Sequence, residues 1–399
     1  MLPRMLQSVI SSIKKRYLYM DKWIALCVLG LIMTSLIMVY SATMYLIEEG
    51  NNPAPFGYLM RQWMGVVAGG ILALIAMYIP FHWYQNRLVI WGIQIALVLA
   101  LIYVLRSGTS GGGAQSWIPI AGVRFQPSEF SKMSFIFLGS HLLMYFSREV
   151  RLANERARLI ERWLPSGLIG MTVLLIGLQP DVGMVLILFA LLLLMLIVNA
   201  RDTSISKLAS FGAVALVIAT YVFVYFASDK LLETGDFRLQ RFGSFINPFK
   251  VAQGAGYQLI GAYLAFSRGG WFGVGIGQGI TKQLELPAGH TDFILAVIGE
   301  ELGYIGVLVV LILLFTIVIR LFFWAHKSKH FFNRCVLSGF GVLFFVQVMV
   351  NVGGVAGLMP LTGVTLPFVS YGGSSMMASV LAIAVAQRFI IEENQLKGA

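Results

Sequence analysis

Met184-Val-Leu-Ile-Leu-Phe-Ala-Leu-Leu-Leu-Leu-Met-Leu-Ile-Val198 carries no charged or polar side chain. With its flanks it approaches the roughly 20 apolar residues needed to cross a bilayer core. Ile305–Leu321 reads the same way, nearly free of charge. Such segments are too long and too uniformly apolar for barrel strands, so the spans are helices. The 399-residue chain as a whole agrees: it is 58% hydrophobic and 12% charged, where a soluble domain carries about 25% charged residues. The fold class expected is therefore an all-α polytopic membrane protein, read as one transmembrane domain over residues 1–399.

Working outward, the sequence divides into ten spans, near 23–45, 63–80, 88–105, 129–147, 163–178, 182–199, 207–227, 293–323, 335–356 and 371–392. The net charge of +11 raises the question of a nucleic-acid partner, but its distribution points to topology. Basic residues crowd Arg4–Lys22, Arg148–Arg162, Arg201–Lys207 and Lys327–Arg334, which is the positive-inside pattern. Both termini are expected in the cytoplasm, with 1–22 a cytoplasmic segment, 393–399 a cytoplasmic tail and no nucleic-acid surface. The first apolar run is too long for a cleaved signal. Cys27 and Cys335 sit in apolar runs and support neither a disulfide nor a metal framework.

Three outward loops stand out. Ser107–Gly113 reads as a flexible serine and glycine stretch running into Trp117-Ile118-Pro119. Residues 228–292 form a loop of more than sixty residues between spans seven and eight, far beyond an ordinary connection. Within it, Tyr257–Phe266 is apolar enough to lie at the interface or re-enter. Met359–Ser375, with Pro360, Gly363, Pro367, Gly372 and Gly373, is a shaped, non-helical approach to the last span.

The candidate chemistry gathers at the loop ends. Asp292 closes the long loop where it meets lipid, and an ionisable residue there is a functional candidate. It either caps the next helix or acts as a general base beside His290, with burial raising its pKa. Glu129 and Lys132, three apart, share one helix face; they form either a neutralising ion pair or the polar floor of a cavity. Arg61 opens the second span as an interfacial anchor or a pyrophosphate ligand, and Lys282, Arg268 and Arg241 carry the same two readings. Glu300 or Glu301 points inward, most simply to pair with an arginine. Asp181 caps the helix after it. Gly273–Gly279 lacks the strand and helix context of a nucleotide loop, so close packing or a hinge is expected. No metal-ligand spacing is visible.

These pieces, in order, resemble the SEDS family (shape, elongation, division and sporulation). The match runs through Tyr40-Ser41-Ala42, Gln115-Ser116-Trp117, Phe125-Gln126-Pro127-Ser128-Glu129 with Lys132, and Gln179-Pro180-Asp181-Val182-Gly183. It continues through Gly256-Tyr257-Gln258, His290-Thr291-Asp292-Phe293-Ile294, Gly299-Glu300-Glu301-Leu302-Gly303 and Leu366-Pro367-Phe368-Val369-Ser370-Tyr371-Gly372-Gly373-Ser374-Ser375. Asn351-Val352-Gly353-Gly354-Val355 and Pro360–Thr365 resemble division-type members more than elongation-type ones. The resemblance implies a peptidoglycan glycan-strand polymerase at the outer face of the bacterial cytoplasmic membrane. It would transfer the growing undecaprenyl-pyrophosphate-linked glycan onto lipid II, beside a class B penicillin-binding protein and other divisome proteins. The alternatives are a lipid II flippase and an elongation-type polymerase of the same family. Asp292 is then the expected catalytic residue, and Glu129, Lys132, Arg61, Trp117, His290 and Lys282 the expected substrate contacts. No cofactor is evident, though a divalent cation (Mg or Mn) could serve the pyrophosphate. The family commonly carries Leu-Pro-Glu before His-Thr-Asp; here Ala288 replaces that glutamate, with Glu285 nearby.

Overall fold

A computed structural model of the chain describes residues 16, 18–46, 54–111, 114–120, 123–146, 155–200, 203–233, 237–254, 256–284, 286 and 289–398. Ten long helices correspond to the ten expected spans: α1 (Lys22–Thr43), α2 (Ala54–Tyr78), α4 (Arg87–Ser107), α5 (Pro127–Phe146), α6 (Glu155–Leu178), α7 (Val182–Asn199), α8 (Thr203–Glu233), α12 (Ile294–Lys327), α13 (Phe331–Val355) and α14 (Gly373–Gly398). Shorter helices join them: α3 (Phe81–Gln85) between α2 and α4, and α9 (Phe237–Ser244), α10 (Tyr257–Gly269) and α11 (Thr281–Leu284) within the long loop. Among the described residues nine helices are long and apolar enough to cross a membrane. The tenth, α5, falls short because it buries Ser128, Glu129, Ser131, Lys132, Ser134 and Ser140 among its neighbours; protein, not lipid, surrounds these groups.

Several helix ends differ from the sequence reading: α6 begins at Glu155 rather than near 163, and α14 runs on to Gly398 rather than 392. Helix α2 begins at Ala54 rather than near 63, because proline in a first turn gives up no needed hydrogen bond. Helix α8 runs on to Glu233. The larger correction concerns the stretch expected to be flexible. Thr109–Gly111 (β1), Ala114–Ile120 (β2) and Val123–Phe125 (β3) form a three-stranded antiparallel sheet in that order. Alternation along Gln115–Ile120 is short enough to be hidden by the surrounding glycines. The apolar segment in the long loop is α10, whose Leu259, Ala262 and Ala265 are fully buried.

Helices α13 and α14 form the centre of the bundle: 78% and 89% of their spans are buried, against 6% for α8. Asp21, Asn86 and Asp181 cap α1, α4 and α7 by accepting from backbone amides two or three residues on. At the end of the bundle that holds the chain termini, the Asp21 carboxylate also receives Arg320 Nε at 2.8 Å and Trp324 Nε1 at 2.5 Å, while Gln387 closes a double hydrogen bond on the Asp21 backbone. One residue therefore ties α1, α12 and α14 together.

At the opposite end, α2 crosses α14 through a small-residue contact of the kind that lets membrane helices approach closely. A Cβ on Gly65 would lie 2.9 Å from Gly373 Cα, and one on Gly69 would lie 3.1 Å from Met377 Cα. The crossing sets Gln62 against the last outward loop, where its amide joins Ser35 Oγ, the Ser370 carbonyl and the Gly372 amide. Gly65→Leu should wedge this crossing apart and lower stability by about 1–3 kcal/mol. Gly70→Leu, one position past the contact and with nothing within 4 Å, should be neutral. Unfolding midpoints of the two variants in detergent compare them directly, and equal midpoints would show that the crossing is not close-packed.

Candidate functional site

The outer end of α12 is built on a broken helix. Gly303 stands at φ 70° and ψ −173° inside it, which releases backbone groups that lipid cannot satisfy. The glycine-rich loop satisfies them. Val274 N and Gly275 N donate to the Glu300 and Glu301 carbonyls at 2.9 and 3.0 Å, while Tyr304 N and Ile305 N donate to Gly270 and Trp271 at 2.9 and 3.2 Å. Backbones meet so closely that a Cβ on Gly273 would sit 2.2 Å from the Glu301 carbonyl, and one on Gly303 would sit 2.4 Å from that of Trp271. The run Gly273–Gly279 is thus close packing around a helix break, as the sequence suggests.

Glu300 and Glu301 both point inward. The partner of Glu301 is a lysine, not the arginine expected: Lys282 Nζ lies 2.5 Å from Glu301 Oε1 and 2.8 Å from Ser41 Oγ, with both charged side chains fully buried. Glu300 accepts from the Thr281 amide and hydroxyl, and Arg268 bonds the same hydroxyl. Lys282 is therefore engaged in holding the loop to α1 and α12. An ammonium is needed here because a glutamate buried alone would be uncompensated.

Asp292 lies on the turn before α12, half-buried. Helix α12 has no side-chain cap; the Asp292 carboxylate instead accepts from Thr291 Oγ1 at 2.9 Å. Burial raises its pKa above the ordinary 3.8, opposed by the Thr291 hydrogen bond and, more remotely, by the Arg241 charge. The turn is held from behind by Asn351 Nδ2 on the Asp292 carbonyl, at 2.8 Å, and by Tyr371 N on the His290 carbonyl, at 2.9 Å. The His290 ring packs against Tyr58 and Tyr371, with centroids at 5.0 and 5.5 Å, and Tyr58 meets Tyr371 edge-on at 5.0 Å. Burial pushes His290 down to about 4, so its imidazole is neutral at pH 7. The Arg61 guanidinium lies 5.7 Å from the Tyr58 ring. Burial raises the Tyr371 hydroxyl, while a hydrogen bond from Arg61 and the charge of Arg124 pull it the other way. Glu285 and Ala288 lie outside the described residues.

The other outward motif reaches this place through β3. Ser374 Oγ donates to the Arg124 carbonyl at 2.7 Å and accepts from Gln126 N at 2.9 Å. Gln126 Nε2 lies 3.3 Å from Asp181 Oδ2, which fixes the Gln-Pro-Asp turn beside it. One turn into α5, Lys132 Nζ pairs with Glu129 Oε2 at 2.6 Å, with both side chains under 10% exposed. The pair lines a cavity of about 10 Å³ shared with Gln347 and Ser379, room for about one water. Ion pair and cavity lining are thus both present. Trp117 stands half-buried on β2, its carbonyl accepting from Thr109 Oγ1. The structure so gathers Asp292, His290 and Arg61 at one place, sets Glu129 and Lys132 beneath the Gln126 turn, and leaves Lys282 in the loop lock. Sequence reasoning missed Tyr58, Arg124, Tyr371 and Asn351. Arg124, two residues before Gln126, and Tyr371, inside Ser-Tyr-Gly-Gly, were adjacent to motifs already noticed. Among the described residues no three of His, Cys, Asp or Glu gather as a metal site.

A polytopic helical protein with a half-buried outward aspartate, two arginines and an aromatic ledge is the class these features define. The chain belongs to the FTSW_RODA_SPOVE family, whose profile, described as "Cell cycle protein", matches residues 21–395. It is 36% identical over 86% of its length to the probable peptidoglycan glycosyltransferase FtsW of Bacillus subtilis (strain 168), covering 83% of that protein. It is 35% identical over 92% of its length to the protein of the same name from Trichlorobacter lovleyi, covering 91% of it. Among solved structures it is similar to a chain of a peptidoglycan synthase complex described as coordinating polymerization and crosslinking (25% identity, TM-score 0.69, 94% of this chain and 98% of that one). It is also similar to the rod shape determining protein RodA of Thermus thermophilus (25% identity, TM-score 0.61, 93% and 96%).

Removing one member of the Glu129–Lys132 pair should be worse than removing both. Glu129→Leu strands a buried ammonium, and such losses run to about 3–5 kcal/mol, whereas apolar replacement of both partners is often neutral. A double-mutant cycle on Glu129→Leu and Lys132→Met, read by unfolding midpoints, checks this; additive losses would mean the two charges do not interact.

Proposed function

We propose that this chain is an inverting peptidoglycan glycosyltransferase of the division type. It extends glycan strands from lipid II at the outer face of the cytoplasmic membrane, beside a class B transpeptidase at the septum, with both termini inside. The carrying observation is Asp292: a carboxylate on an outward turn, half-buried, with raised pKa, that caps no helix. A base must be ionised and yet basic, and a pKa moved up toward working pH serves both needs.

In this reading the acceptor is lipid II and the donor is the lipid-linked growing strand. An Asp292 carboxylate oxygen takes the proton of the acceptor's 4-hydroxyl. The acceptor's 4-oxygen, so freed of its proton, attacks the donor's anomeric carbon from the face opposite the leaving group, and the bond to the pyrophosphate oxygen breaks with inversion. General-base help supplies about 10²–10⁴-fold; orientation and charge stabilisation supply the rest. Arg61, beside the Tyr58–His290–Tyr371 ledge, and Arg124 are the cations placed to meet developing charge on the pyrophosphate, and their planar forks suit its oxygens. Neutral His290 gives the ledge a polar edge without adding charge. Lys132 and Glu129 support the Gln126 turn from below. A divalent cation, if used, would arrive with the pyrophosphate.

The test is polymerisation of labelled lipid II by the purified chain with its transpeptidase partner. Asp292→Asn should lose nearly all chain elongation while keeping its fold; wild-type elongation would end the base assignment. Because Asp292 works only when ionised, the rate should fall as pH drops through its raised pKa, placing the acid limb above 3.8. His290→Gln should leave that limb in place, because in this reading the titrating base is Asp292 and not the imidazole. A limb that moves with His290 would make the imidazole the titrating base.

A further inference from the structure

Asn351 lies on α13 behind the Asp292 turn and is only 4% exposed. Its Nδ2 donates to two carbonyls, those of Asp292 and Val364, each at 2.8 Å. Both partners are acceptors only, so the amide can stand in just one orientation. The Asp292 carbonyl precedes the ladder of α12, whose first carbonyl with a helical partner is that of Phe293. Nothing in the helix would otherwise fix it. Val364 belongs to the last outward loop, which also supplies Tyr371 N to the His290 carbonyl. Two loops far apart in sequence thus meet on one side-chain amide.

The other half of that amide is left over. Asn351 Oδ1 is buried and meets no donor among the described residues. A buried acceptor without a partner costs about 1–3 kcal/mol, a cost an apolar side chain would avoid. That side chain would, however, orphan the Asp292 and Val364 carbonyls, so the double donation is what accounts for asparagine here. One turn earlier on the same face of α13, Gln347 lines the cavity of Glu129 and Lys132, so this face carries polar groups at both depths.

We propose that Asn351 is a positioning residue for glycosyl transfer: its amide locks the Asp292 turn to the Val364 segment and so aims the Asp292 carboxylate at the acceptor hydroxyl. This rests on Asp292 being the base. Asn351 does not touch the reacting atoms; it acts through the backbone of the residue that does.

The experiment uses the full chain with its transpeptidase partner and labelled lipid II, measuring kcat, KM, the pH profile and the unfolding midpoint. Asn351→Ala should lower kcat by about 10- to 100-fold, the scale of a small misplacement of a catalytic group, with KM nearly unchanged. Asn351→Asp keeps the shape but cannot donate, and it sets a second negative charge behind Asp292. It should move the acid limb to higher pH, because a like charge disfavours ionisation. Asn351→Gln retains the donor pair and should recover at least part of the loss seen with alanine. Wild-type kcat and an unmoved limb in Asn351→Ala and Asn351→Asp, while Asp292→Asn is inactive, would overturn the positioning role and leave the base intact. A lowered unfolding midpoint with unchanged kcat per folded molecule would overturn it too, by making Asn351 purely structural. Activity in Asp292→Asn would instead overturn the reading on which it rests.

Discussion

Lipid supplies no hydrogen bonds, and the outer half of this protein is organised by that fact. Helix α12 cannot break at Gly303 unless something pairs the groups it releases, and the loop at Gly270–Gly275 does so strand-fashion. That pairing requires glycine where the backbones touch. It also brings Lys282 down onto Glu301, since the same loop must return through α11 to reach the Asp292 turn. Helix break, glycine-rich loop and buried ion pair are one solution to one constraint. Asp292 sits between the two ends of the segment they close.

The same constraint explains why the ten spans were legible and the decoration between them was not. An apolar run of bilayer length has few alternatives, so its identity follows from composition. Between spans the chain is free to pair with itself, and the pairings are short. The sheet at Thr109–Phe125 alternates over too few residues, between glycines, to stand out from a flexible stretch. Helix α5 was recognisable by length despite six buried polar residues, because those residues face protein.

The site was legible in part, for a related reason. Asp292, His290 and Glu129 with Lys132 announce themselves as charged or titratable groups where few are tolerated. Tyr58, Tyr371 and Asn351 do not; aromatic and amide side chains at span ends are ordinary, and their meaning comes from contacts with other elements, from 13 residues away for Asn351 and Val364 to several hundred for Tyr58 and Tyr371. Lys282 shows the reverse error. A loop lysine reads as available to a phosphate, yet the fold commits it to Glu301, a partner nineteen residues on. The alternatives left open at Asp292 narrowed once its carboxylate was found to accept from Thr291 rather than from the start of α12.

Asp21 stands at the opposite end of the molecule. Its carboxylate and backbone join α1, α12 and α14 through direct, short hydrogen bonds. At the outer boundary α12 and α14 are joined instead through loops, by way of His290 and Tyr371. The bundle is thus clamped at one end and strapped at the other, like a set of reeds bound at the base. Helices α1 and α12 are joined directly at both ends, by Asp21 at one and by Ser41 with Glu301 at the other, so it is the tie of α14 to α12 that changes from direct to looped along the bundle.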